Sequence, residues 1–288
     1  MAVSQVFSLS DNSLSNLISL MLIFLLGIPH GAIDNHLFLQ RSDTAPIKFY
    51  SVYLLAIAVN ALFWFLLPIV ALLFFILLSA YHFGQAQFAN YRHLPRLGTL
   101  FTQFFWGLLI ILMFIYFNRP ELLAWTETYA DLQPFRRLLA TGWLSGMFIF
   151  SATMTGLLFV MALFRKWIPP RDLIVEVLLI AAVLLSSIFL PFLAGFALFF
   201  VIMHSFRVMG AEFWHFYDRL SRQNLSDFIR LLAPLSLLSF IGLGVLAAAI
   251  YSQFLPLSLP FLLLISISSI TLPHAFVMER FYRIKKSH

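Results

Sequence analysis

From Tyr50 to Gly84 the chain runs without a single Asp, Glu, Lys or Arg. A run of that length and character belongs in lipid, where about 20 residues of helix cross the hydrocarbon core. A helix also satisfies its own backbone hydrogen bonds, which the bilayer interior demands. Similar runs recur to the end of the sequence, so the expectation is an all-α, polytopic transmembrane helix bundle. The spans fall near residues 15–35, 50–67, 69–88, 98–117, 139–164, 173–190, 192–210, 229–251 and 256–278. Pro68 and Pro191 divide the two longest runs, since proline removes a helix hydrogen bond and disfavours helix in the residue before it. Apolar residues make up 61% of the chain and charged residues 10%, against about 45–50% and about 25% in soluble domains.

The basic residues orient the spans. With the N-terminus outside, fifteen of the eighteen Lys and Arg fall on the inner side, and only Arg119, Arg136 and Arg137 lie outside. That bias follows the positive-inside rule and gives nine spans, N-terminus out and C-terminus in, as in a multi-pass protein of the cell inner (plasma) membrane. Residues 1–16 carry no Lys or Arg, and no small-residue cleavage pattern follows, so the first span reads as a true span. The outer segment 118–137 reads as an interfacial helix or loop. Residues 1–288 read as one integral membrane domain. The absence of Cys removes disulfides, thiolate zinc sites and catalytic thiols. The net charge of +6 is scattered through short loops, which excludes a nucleic-acid-binding face.

Polar groups inside spans are costly and usually face the bundle interior. His30, His82, His204 and His274 lie within or at the ends of spans one, three, seven and nine, each near the inner end. A single buried histidine usually packs or hydrogen-bonds. Four at one depth from four helices point more strongly to a metal, and neutral imidazole suits zinc, copper, iron and nickel. With no thiolate and few carboxylates nearby, an all-nitrogen iron site is a natural candidate. Pro29 precedes His30 and should loosen the helix there. Gly27 and Gly31 permit close approach. Asp34, four residues after His30, is placed to hold the imidazole's other nitrogen, or stands as a helix-end carboxylate. Pro273 repeats the Pro-His pairing at His274.

At these residues the chain resembles the Brp/Blh family of membrane β-carotene 15,15′-dioxygenases. The strings are Gly-Ile-Pro-His-Gly-Ala-Ile-Asp at 27–34, His-Phe-Gly at 82–84, His-Ser-Phe-Arg at 204–207 and Leu-Pro-His at 272–274. The resemblance implies cleavage of the central double bond of β-carotene by dioxygen at a non-haem Fe(2+), giving retinal for a microbial rhodopsin. It carries the family's iron ligands onto His30, His82 and His204. The family's fourth ligand lies four residues after the third, where this chain has Val208. Gln87 is a second departure, at a position more often acidic in the family. His274 is the replacement ligand expected at the right depth, with Asp34 a ligand or a group behind one. Glu212 is a weaker substitute, expected in the inner loop. The competing reading is a non-catalytic carotenoid- or retinal-binding membrane protein of the same fold. A transporter is disfavoured by the lack of charged groups inside the spans, Glu176 being the clearest exception.

Overall fold

The computed structural model describes residues 13–40, 42–89, 91 and 94–286. The N-terminal placement of Met1, the loop residues Arg41, Arg92 and His93, and the C-terminal His288 therefore lie outside the described residues. Among the described residues there is no strand, and nine helical segments are long and apolar enough to cross a membrane. The protein is an all-α, multi-pass membrane protein.

The first span is the least regular. Helix α1 (Ser13–Leu22) gives way to a π segment, Ile23–Gly27, then to a 3-10 turn, Ile28–Gly31, and resumes as α2 (Asp34–Leu39). The loosening falls where Pro29 withholds its donor, as the sequence predicts. Helices α3 (Pro46–Leu66) and α4 (Pro68–Phe88) are parted at Leu67, whose φ of −140° and ψ of 61° leave the helical region just before Pro68. Then follow α5 (Arg96–Phe117), the short helices α6 (Arg119–Thr128) and α7 (Arg136–Ala140), α8 (Trp143–Phe164) and α9 (Pro170–Phe189). The seventh span is α10 (Phe192–Leu198), a π segment Phe199–Ser205, and α11 (Phe206–Phe216). Helices α12 (Arg222–Tyr251) and α13 (Leu259–Lys286) complete the chain. Pro273 does not break α13, which continues through it. The expected spans are all present, and the largest differences are at the C-terminal ends of α11 and α13 and the N-terminal end of α12, which run past the expected bounds.

The chain divides into two compact units. One takes in the described residues up to Ala58 with Ala197–Val277; the other takes in Val59–Phe196 with the described residues from Met278 onward. In the second unit α4 and α5 meet backbone to backbone. A Cβ on Gly84 would lie 1.8 Å from the Gln103 carbonyl oxygen, and one on Gly107 would lie 1.8 Å from that of Ala80. Small residues at such crossings let helices approach closely in lipid. Ala80, Leu108, Leu112 and Leu144 form the buried cluster beside this contact, and Tyr116 stacks on Phe148 at 4.8 Å to hold α8. Asn118 ties α5 to α9 by donating to the Ser187 carbonyl at 3.2 Å. The segment between α5 and α8 is helical, one of the two forms expected of it. Burial pushes the Glu121 carboxyl up, and the hydrogen bond it accepts from the Phe192 backbone N–H at 2.9 Å pulls it back.

A candidate metal centre

Three of the four singled-out histidines lie in the first unit, and its irregular helices bring them together. The π segment before His30 and the one holding His204 each widen a turn, a distortion that recurs at functional sites. The His30 ring lies 5.2 Å from that of His204 and 4.8 Å from that of His274, near-perpendicular to both. All three are buried. Gly27 and Gly31 supply the room. A Cβ on Gly27 would sit 2.4 Å from the Phe200 ring, and one on Gly31 would sit 3.4 Å from His274 Nδ1.

Two of these rings have a fixed direction. His30 Nδ1 donates to the Gly27 carbonyl. His274 Nδ1 donates to Asp34 Oδ1 at 2.8 Å, with both side chains 3% exposed. Asp34 thus backs His274, not the His30 ring one turn before it in sequence. The 3-10 turn and the break at Ile33, with φ −108° and ψ 14°, take Asp34 off the His30 face. The second oxygen of Asp34 accepts from Tyr53 Oη at 2.9 Å. Tyr53 went unnoticed in the sequence because a tyrosine in an apolar run reads as an interface anchor.

Of these donors His30 and His204 fit a metal, with ligand atoms within 4.8 Å of each other, and His274 does not join that group. An imidazole whose Nδ1–H is held by an oxygen presents its Nε2 lone pair outward, the usual arrangement behind a metal-bound histidine. With metal–nitrogen bonds of about 2.0–2.1 Å, two rings sharing an ion at right to tetrahedral angles have centroids about 4.5–5.2 Å apart. The 5.2 Å spacing of His30 and His204 falls there. Val208 is fully buried and offers no donor. Glu212 is not in an inner loop: α11 continues to Phe216 and buries it completely, with neither carboxylate oxygen hydrogen-bonded to a described residue. His36 is exposed on α2, and His215 donates to Gln40 Oε1 at 3.2 Å near the surface.

His82 belongs to the second unit, on α4, and is 1% exposed. The Gly84 contact with α5 fixes its height. Three residues after Gly84, Gln87 donates its amide to both oxygens of Glu176 on α9, at 2.7 and 2.8 Å. An acidic residue at position 87 would set two carboxylates against each other. The Gln87 departure is therefore matched to the one carboxylate that stood out within the spans.

A many-span helical membrane protein with buried, oriented imidazoles is the class these features define. Within it, the chain belongs to the beta-carotene 15,15'-dioxygenase family, which matches residues 21–282. No curated protein and no solved structure matches it.

Proposed function

We propose that the protein takes a carotenoid, β-carotene or a close relative, from the bilayer and cleaves its central double bond with dioxygen, giving two molecules of retinal. Family membership carries this reading. In the balanced reaction one carbon–carbon double bond breaks and each atom of dioxygen ends as an aldehyde oxygen. The cofactor is Fe(2+), held by His30, His82 and His204, with His274 as fourth ligand in place of Val208. The fixed Nδ1 of His30 and the closeness of the His30 and His204 ligand atoms, within 4.8 Å, support the histidine set; His274 enters it on its place beside the His30 ring alone. Bound iron supplies the activation of dioxygen, which protein side chains cannot do alone. The chain supplies orientation and dryness: Asp34 and Tyr53 hold His274, and the buried Phe199, Phe200, Val201 and Val208 keep water from the rings. The protein lies in the inner membrane, N-terminus outside and C-terminus in the cytoplasm, and hands retinal to a microbial rhodopsin.

Expression in a β-carotene-accumulating host should yield retinal, measured by chromatography. The purified protein should hold near-stoichiometric iron, and His30→Ala, His82→Ala and His204→Ala should each lose most of it. Wild-type iron in all three variants would overturn the site.

Val208 favours a second reading, a carotenoid- or retinal-binding protein without activity. Under it the wild type yields no retinal, and Val208→His, which restores a donor one turn from His204, gains iron affinity. No gain in the variant and retinal from the wild type would dispose of this reading.

A further inference from the structure

A cavity of about 810 Å³ opens beside the last turns of α4, the first turns of α5 and the end of α13, all within the second unit. Sites for small organic ligands span about 300–1,000 Å³. The one carboxylate in its wall is answered within the protein: Glu279 accepts from Tyr81 Oη at 2.6 Å, from Gln85 Nε2, and from Arg283 Nη2 at 2.8 Å. What the wall of α5 adds is a set of donors without acceptors. Arg96 lines the cavity and pairs with no described residue. It is the first residue of a 22-residue helix whose N-terminus no side chain caps, so the first backbone N–H groups have no side-chain acceptor. Two turns on, Gln103 lines the same cavity while only 4% exposed, and its side-chain amide has no hydrogen-bond partner among the described residues. Neither of its amide atoms is fully enclosed. Leu97 and Leu100, 67% and 44% exposed, open the cavity onto an apolar helix face.

We infer that this cavity holds one anionic glycerophospholipid, its phosphate at the start of α5 and an ester carbonyl at Gln103. A helix N-terminus favours an anion, and Arg96 adds a full charge there. Basic pockets between membrane helices hold lipid headgroups on the same grounds. Gln103 lies seven residues beyond Arg96, about 10 Å deeper along the helix axis. Its side chain leans back toward the N-terminus of α5, which shortens that gap. A glycerophospholipid repeats this order, with phosphate at the surface, ester carbonyls below it and chains beyond. Phosphate and ester oxygens only accept, which is what the α5 donors lack. The chains leave over Leu97 and Leu100 into hydrocarbon. An amine-bearing headgroup would bring a cation to Arg96 and Arg283, and the one carboxylate nearby already has three donors. Free phosphate would leave Gln103 and the leucines unused. The site needs no carotenoid and stands apart from the cleavage reading, although Tyr81 and Gln85 belong to the same helix as His82.

The test takes the full chain, stripped of lipid in detergent, and titrates it with phosphatidylglycerol, with diacylglycerol of the same chains, and with inorganic phosphate. Native mass spectrometry counts the bound lipid. Phosphatidylglycerol should bind one to one and about tenfold more tightly than diacylglycerol, the difference that charge-assisted hydrogen bonds to phosphate make. Arg96→Gln should remove most of that preference. Gln103→Leu should instead weaken both lipids by about two- to tenfold, because both carry the ester carbonyl. Arg171→Gln, at the exposed start of α9 and outside the cavity, should bind as the wild type does. Arg96 is itself exposed, so its substitution tests the site without threatening the fold. Equal affinities for the two lipids would overturn the inference, as would a preference that survives Arg96→Gln or an equal loss in Arg171→Gln. Wild-type binding by Gln103→Leu would overturn it as well. Displacement of the lipid by inorganic phosphate would make this a free-phosphate site and exclude the lipid.

Discussion

Asp34 spends both of its oxygens at once, on His274 of α13 and on Tyr53 of α3. Those two bonds make unequal contributions to holding a metal, and the order can be measured by chelator competition on purified variants. His274→Ala should lose iron as severely as His30→Ala, because it removes a donor outright. Asp34→Ala should weaken metal binding about 10–100-fold, the usual effect of removing the group behind a ligating histidine. Tyr53→Phe should cost less, since the aspartate–histidine bond remains. If His274→Ala keeps its iron while product falls, that imidazole faces substrate and does not bind the metal. Of this arrangement the sequence shows the Pro-His pairs, the glycines that clear space and the carboxylate. It hides the partner of the carboxylate. Counting four residues from His30 assumes a regular helix, and the chain is π and then 3-10 there. Tyr53 is nineteen residues from Asp34 on another helix, so only tertiary structure joins them.

Among the elements, the α4–α5 crossing has the least tolerance. A methyl group at Gly84 or Gly107 would meet a backbone oxygen at 1.8 Å, and backbone cannot swing aside as a side chain does. Gly107→Ala should therefore lower stability by about 1–3 kcal/mol or more, the cost of overpacking. Gly156→Ala on α8 meets nothing within 4 Å and should be neutral or slightly stabilising, as alanine is the better helix former. Thermal unfolding in detergent would compare them; equal midpoints would mean the helices part without cost. Helix number and the breaks at Pro29, Pro68 and Pro191 are legible because lipid thickness and proline act locally. Where some helices stop is not: α11, α12 and α13 continue past the apolar stretch, which is how Glu212 comes to be buried in a helix.

At the scale of the whole molecule, charge decides which way the chain is threaded. A reporter fused after His288 should be active in the cytoplasm and silent outside, given that fifteen of eighteen basic residues share one side in this arrangement. Activity confined to the periplasm would reverse the threading and move the four histidines to the outer leaflet. Two compact units are a feature that hydropathy gives no hint of, because both α3 and α13 run from one into the other without a break in their apolar pattern.

The wide turns at Ile23–Gly27 and Phe199–Ser205 have a genetic consequence. A π turn holds one residue more than an α turn needs. Loss of a single codon there would let the helix close in regular register, at little cost in backbone energy. What lies beyond the closed turn would keep its face of the helix, because the wide turn is what absorbs the extra residue. The residues of the turn itself would be redistributed, and in the seventh span His204 is one of them. The hydropathy of the span would barely change. One deletion would thus spare insertion into the bilayer while disturbing the histidine seated in the wide turn.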